Sequence, residues 1–384
     1  MLLLALCTLS STFTNGSPRP RFGTLQLSPT ESYISNNHPR LFVRSKPNRM
    51  ARRNDDEEDE DVVIYKTKQP STPPNSLPSD PFAHYTYENT LTSGDFQVSQ
   101  ARRTIVVGDI HGSLVGFDGF LKQIGYDGTK DNLILAGDLV AKGPQSVEVI
   151  DRARSLNAKC VRGNHDDKVI RWKGYLDSLS PSQKSMLEMD SKSRPDVLDD
   201  ENAPEYDADV PSVRPLAQMR DIPADLVENS EHHRIASKMN DDQYQYLLSC
   251  PLVLTLPKEM SVHKTPVHVL HAGIDPSKDI EHQLPWVLVN VRNILKDGTP
   301  SRKKKKGQGW ASEFNNEHSR FVGKGQDYLV VYGHDASRSL NVKQWSIGLD
   351  SGCVYGRALS GYVVETGQIY TVPCPDLDVD PGEE

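Results

Sequence analysis

Short apolar runs recur along this chain, and five of them stop at a polar block carrying glycine, aspartate or histidine. Thr104, Ile105, Val106 and Val107 lead into GDIHG at residues 108–112. Leu133, Ile134 and Leu135 precede GDLVAKGP at 137–144, and Cys160 and Val161 precede RGNHD at 162–166. Further on, residues 266–270 end at His271, Ala272 and Gly273, and residues 328–332 at Gly333, His334 and Asp335. The first three runs read as strands buried on both faces of a parallel sheet, and the last two as later strands that each deliver a histidine. Between the first two blocks Leu114, Phe117, Leu121 and Ile124 fall at helical spacing, with Ser113 as an N-cap. After the second block Pro144 suits a first helical turn, and Val147, Ile150, Ala153 and Arg154 continue it. The strand–helix–strand unit therefore repeats. Ligands of open α/β sheets bind beyond the carboxyl ends of the strands, so the polar blocks are expected on one rim.

The rest of the chain reads as support. Residues 1–100 carry ten prolines and the acidic run 55–61 without sustained periodicity, which predicts a disordered tail that cannot bury enough apolar area to order itself. A catalytic domain over 101–374 follows, with a mobile acidic, proline-rich insertion at about 190–225, and an acidic C-terminal tail over 375–384. Residues 1–9 are apolar apart from Thr8 but lack a basic start and are too short to span a bilayer; a signal or anchor remnant is one reading, and membrane association is expected only through it. Asn15, Gly16 and Ser17 form a glycosylation sequon compatible with luminal exposure. Cys7, Cys160, Cys250, Cys353 and Cys374 form no CxxC pair, so neither a zinc ribbon nor a disulfide framework is indicated, and Cys160 and Cys353 read as core strand residues. The net charge of −8 disfavours nonspecific nucleic-acid binding, and no sequence-specific nucleic-acid partner is expected. Residues 302–306 are five consecutive cations, either a solvated loop or targeting signal or a guide for a polyanion. Trp172 and Tyr175, downstream of His165, read as core. Residues 346–372 are expected to form an antiparallel second sheet against the first.

The chemistry lies in the blocks. Asp109, His111, Asp138 and Asn164 offer carboxylate, imidazole and amide donors, a mixture that suits Zn, Mn, Fe or Co better than Ca, and His271 and His334 add the imidazoles a second ion needs. Any one of these residues alone reads more readily as a cap, a turn or a core histidine; five blocks in order, each at a strand end, do not.

In that order the blocks resemble the calcineurin-like metallophosphoesterases over roughly residues 101–374. The resemblance implies an α/β fold, a four-layer αββα sandwich of two mixed sheets flanked by helices. It implies two divalent metal ions (Zn, Mn, Co or Fe), with Asp109 and His111 on the first, Asn164, His271 and His334 on the second, and Asp138 between them. His165 would be the general acid. Asp166, Lys142 and Arg162, from the same blocks, join it as catalytic candidates.

Protein phosphatases of this superfamily have Asp-Arg-Gly after GDxV, the Asp orienting the acid histidine and the Arg gripping phosphate; here Ala141, Lys142 and Gly143 stand there. GDLVAKGPQS and the closing residues 348–362 instead resemble the diadenosine tetraphosphatase-like branch, which includes a fungal endopolyphosphatase. Phosphoanhydride cleavage is implied, with polyphosphate or a phosphorylated small molecule as substrate, and dinucleoside polyphosphates, capped RNA ends or a phosphoprotein as alternatives. Lys142 would contact substrate; Arg357 is either a phosphate contact or an exposed strand arginine. Asp350 is expected in a turn or behind the ligands. The complete ligand set argues against an inactive scaffold. Resemblance points to a vacuolar or endomembrane location, with the cytoplasm as the alternative.

Overall fold

The computed structural model describes residues 25–26, 80–96, 102–192, 222–223, 225–318 and 327–377. The strands in chain order are Leu25–Gln26 (β1), Glu88–Thr90 (β2), Arg103–Val107 (β3), Asp131–Leu135 (β4), Lys159–Cys160 (β5), Val253–Leu256 (β6), Val267–Leu270 (β7), Asn293–Ile294 (β8), Pro300–Ser301 (β9), Gln308–Gly309 (β10), Leu329–Tyr332 (β11), Asn341–Val342 (β12), Ser346–Gly348 (β13), Ala358–Val363 (β14) and Gln368–Pro373 (β15). The helices are Leu114–Gln123 (α1), Ser146–Ser155 (α2), Asn164–Ser178 (α3), Pro181–Lys192 (α4), Glu231–Lys238 (α5), Asp241–Leu248 (α6), Pro285–Asn290 (α7) and Trp310–His318 (α8).

Two six-stranded sheets form, in the orders β1-β15-β14-β3-β4-β5 and β12-β13-β11-β7-β6-β2, beside a three-stranded sheet β10-β8-β9. Side chains alternate across a strand, so each buried strand feeds two cores. Ile105, Val107, Leu133 and Leu135 face a helical layer with Phe117, Phe120, Ile150, Val169 and Trp172. Val106 and Ile134 point the other way, against Val267, Val269, Val331 and Ile347 of the second sheet. Leu270, Val330 and Tyr332 then pack under α7 and α8 through Val287, Leu288, Trp310 and Phe314. The order helix, sheet, sheet, helix is the layered arrangement expected, and Trp172 and Tyr175 are core residues.

Several expectations need correction. Residues 80–96, assigned to the tail, belong to the domain: β2 pairs in parallel with β6 and Leu91 and Phe96 enter the core between the sheets. Backbone pairing at a sheet edge needs no apolar run, so periodicity could not reveal it. Leu25–Gln26 likewise adds to the edge at β15. The rest of residues 1–79, with the sequon and the acidic run, lies outside the described residues, as does most of the acidic insertion. At its borders α4 runs to Lys192, Ile222 is buried in the core and Asp225 pairs with Arg171 at 2.6 Å. The chain's ending is shared rather than separate: β13 lies parallel to β11 in the second sheet, while the β14–β15 hairpin extends the first beside β3. Four of the cysteines are paired, Cys160 with Cys250 and Cys353 with Cys374. Partners 90 and 21 residues apart are invisible to local spacing. Cys353 lies in a 3-10 turn, not a strand. Ser113 occupies the N-cap of α1 without a side-chain capping bond, and α2 begins at Ser146, two residues after Pro144. Among the described residues no helix is long and apolar enough to cross a membrane.

Candidate active site

The loops leaving β3, β4, β7 and β11 meet on one rim, and the backbone there is held in an unusual state. His111, Asp138, Ala141, Lys142 and His334 all have positive φ, between 48° and 74°. For residues with a Cβ that conformation costs on the order of 1–3 kcal/mol each and persists only when neighbours enforce it. The enforcing bonds are present. The amides of Ile110 and His111 donate to the Asp138 carbonyl, Gly143 donates to the His111 carbonyl, and Lys142 N donates to the Glu231 carboxylate at 2.9 Å.

The donor atoms converge on Asp138. Its Oδ2 lies 3.5 Å from His111 Nε2 and 3.2 Å from His271 Nε2, and its Oδ1 accepts the His165 amide at 2.9 Å. On one side Asp109 lies 3.8 Å from His111 Nε2, and its carboxylate accepts the His334 amide at 3.0 and 3.1 Å. On the other, His271 Nε2 lies 3.0 Å from Asn164 Oδ1 and 3.2 Å from His334 Nδ1. Each of these three histidines has its outer nitrogen on a backbone carbonyl: His111 Nδ1 on Val140, His271 Nδ1 on Ala136, His334 Nε2 on Asn290. Such bonds fix the tautomer so that the inner nitrogen presents a lone pair. Lone pairs of two imidazoles, a carboxylate and an amide oxygen facing one another at about 3 Å are reconciled by a cation. Asp138 belongs to two such groups, one with His271 and His334 and one with His111 and His165.

Electrostatics agrees. Asp109, Asp138, Asp166 and Asp350 are all buried within this small region. Burial, reinforced by Asp350 and Asp138, pushes the Asp109 carboxyl well above the ordinary range. Burial would raise Asp138 too, but His271, His165 and His111 hold it well below. Burial first, then Lys142, keeps His111 neutral, whereas in His271 the pull of Asp138 outweighs burial and raises it. Buried carboxylates in this number call for positive charge.

The other expected residues divide by role. Lys142 Nζ and the Arg357 guanidinium lie 5.4 and 5.5 Å from the Tyr355 ring centre, so the two substrate candidates share one aromatic platform. Arg357 also donates to the Ala336 carbonyl at 2.9 Å. Asp166 accepts the amides of Gly163 and Leu139, each at 3.0 Å, and clamps two loops together; burial raises its carboxyl to about 7. Arg162 is fully buried, 3.4 Å from Asp167 and beneath Tyr85. Both side chains are fully buried, Asp166 bonding two loops of the site and Arg162 an aspartate of α3. Asp350 accepts the Gly352 amide in a turn, as expected. Sequence reasoning missed His232 and Glu231, at the start of α5. His165 Nδ1 is 2.8 Å from His232 Nε2, and Glu231 holds Lys142 N. The local signal is slight, a pair of histidines just after Ser230, which caps α5 through the His233 amide.

The family model for calcineurin-like phosphoesterases matches residues 102–338, which hold all five blocks. The chain belongs to the calcineurin-like phosphoesterases. This phosphoesterase is 26% identical over 289 residues to a symmetrical bis(5'-nucleosyl)-tetraphosphatase of Ectopseudomonas mendocina, covering 70% of this chain and 97% of that protein. It is 25% identical over 299 residues to a zinc-dependent endopolyphosphatase of Saccharomyces cerevisiae, covering 73% and 82%. The crystal structure of a candidate diadenosine tetraphosphatase is 28% identical with a TM-score of 0.51, covering 76% of this chain and 99% of that one. The phosphoesterase is thus a hydrolase that uses divalent metal ions, and its donor set is of the kind such ions take.

Proposed function

We propose that this phosphoesterase cleaves phosphoanhydride bonds in inorganic polyphosphate. The observation that carries this reading is the pair of cations on Tyr355, beside a GDLV block in which Ala141 and Lys142 occupy the Asp-Arg positions of protein phosphatases. Lys142 is a point charge without a bidentate fork, which suits a flexible run of phosphates at least as well as one fixed phosphoryl group, and Arg357 adds a second cation on the same ring. The basic loop supports it further. Asn293 Nδ2 donates to the carbonyls of Lys303 and Lys304, and Asn293 Oδ1 accepts from Arg338, which also pairs with Asp335 beside His334. A row of contacts therefore leads from the backbone of the basic loop to Asp335, next to His334.

In this reading Asp109 and His111 would hold one ion, Asn164, His271 and His334 would hold the other, and Asp138 would serve both. Bound ions of this kind neutralise phosphoryl oxygens and make water a stronger nucleophile. Lys142 and Arg357 orient the chain of phosphates, and His165 supplies a proton to the departing phosphate oxygen. A dinucleoside tetraphosphate is the second reading, favoured by the 97% of the bacterial tetraphosphatase that the alignment spans. The two disulfides support an oxidising endomembrane lumen as the place of work.

The test is incubation of the protein with long-chain polyphosphate, with diadenosine tetraphosphate and with a phosphopeptide in Zn, Mn, Co or Mg. Shortening of polyphosphate on a gel, abolished in Asp138→Asn, is the expected result. Turnover of the dinucleotide with an unchanged polyphosphate ladder would move the assignment to the second reading, and turnover of the phosphopeptide alone would overturn both.

A further inference from the structure

We infer that His232 positions His165 for proton transfer, an imidazole standing where no carboxylate follows the GDLV block. The inference rests on the reading of His165 as proton donor. Three observations converge. His165 Nδ1 and His232 Nε2 are 2.8 Å apart, with the two rings within 24° of parallel, the geometry of an in-plane hydrogen bond. Both side chains are buried, so water does not compete for that bond. The position after GDLV is Ala141, whose methyl group can accept nothing, and its amide is itself bound to Ser146 Oγ at 3.0 Å.

Helix α5 is built to hold His232 there. Ser230 caps it, Glu231 accepts the Lys142 amide, and His233 lies 4.5 Å from the Trp172 ring in the core. Docking of one short helix therefore fixes both the strained Lys142 backbone and the acid histidine. Burial, with the charge of Lys168, keeps His232 neutral. A neutral acceptor takes the Nδ1 proton of His165 as a hydrogen bond and leaves Nε2 as the nitrogen that serves the substrate. In the step itself the bond from water oxygen to phosphorus forms as the bond from phosphorus to the leaving oxygen breaks. That oxygen keeps the electron pair and takes the Nε2 proton, while the Nδ1 proton stays on His165 in its bond to His232; the proton lost by the attacking water passes to solvent with the product phosphate, and solvent returns one to Nε2 before the next turnover.

The test uses the full chain loaded with Mn, comparing His232→Ala, His232→Gln, His165→Ala and the double variant. Phenyl phosphate, with a leaving group of pKa about 10, and p-nitrophenyl phosphate, with a far more acidic one, are the probes. His232→Ala should lose about 10- to 100-fold in kcat on the phenyl ester and much less on the nitrophenyl ester, with KM little changed. His232→Gln, which can still accept a hydrogen bond, should recover part of the loss. In the His165→Ala background the second change should cost less than about 2-fold, since coupled residues are not additive. Equal losses on both esters, or an undiminished loss without His165, would overturn the positioning role. A His165→Ala variant that does not discriminate between the esters would instead remove the proton-donor reading on which it rests. Independently of turnover, spectra of the protein labelled with 15N-histidine should show His165 protonated at Nδ1, with that hydrogen-bonded signal lost in His232→Ala. A wild-type His165 protonated only at Nε2 overturns the inference.

Discussion

At the scale of single residues, the site depends on backbone approaching where a side chain could not. A Cβ at Gly333 would collide with Asp109 Oδ1, and one at Gly163 with Asp138 Oδ1. These glycines are needed for closeness rather than for their torsion angles, since neither has a positive φ. Gly333→Ala should leave the fold intact but displace the Asp109 carboxylate from the His334 amide, lowering metal affinity about 10- to 100-fold. Metal content after dialysis, read beside the melting temperature, checks this; full metal content with normal turnover would show that Asp109 can shift without consequence. The ligand candidates themselves are legible from sequence because each follows an apolar run directly. His232 is not, because no strand precedes it and nothing within α5 says which distant ring it meets.

At the scale of elements, the disulfide from β5 to the segment before β6 matters most. Cys160 lies four residues before Asn164, and Cys250 precedes β6, so the bond joins the first sheet's last strand to the approach of the second. Closing a loop of 90 residues is worth about 4–5 kcal/mol of unfolded-state entropy, against about 3 kcal/mol for the 21-residue loop of Cys353 and Cys374. Cys160→Ser with Cys250→Ser should therefore lower the melting temperature more than the equivalent change at Cys353 and Cys374, as scanning calorimetry can establish. The reverse ranking would mean that native strain or residual structure dominates. Strands β3, β4, β7 and β11 are readable as apolar runs. Strand β2 is not, because Glu88, Asn89 and Thr90 form no apolar run and pair with β6 through the backbone.

At the scale of the whole molecule, β2, β6 and β7 are tied by a partly buried relay. His268 Nδ1 lies 2.7 Å from Thr255 Oγ1, which in turn donates to Glu88 Oε1 at 2.6 Å. Burial depresses the His268 imidazole to about 4. The unfolded chain, with an ordinary value near 6.5, binds this proton more readily than the folded one. Stability from this group is therefore complete above pH about 6.5 and falls as the pH drops, losing up to about 3 kcal/mol by pH about 4. His268→Asn should flatten the decline in melting temperature between pH 6.5 and 5, and parallel profiles for the two proteins would assign the decline elsewhere. By itself, the sequence determined the metal-site candidates and the helical layer over the first sheet, and through the family its ordered blocks resemble it implied the class of chemistry. The first two follow from order and periodicity along the chain, which local sterics and burial translate directly into strands with polar ends. Only the tertiary structure decided the edge strand β2, the split of the C-terminal strands between two sheets, the disulfide partners and the contact between His165 and His232. Each of these depends on groups far apart in sequence, whose meeting is set by how the layers pack and not by any local pattern.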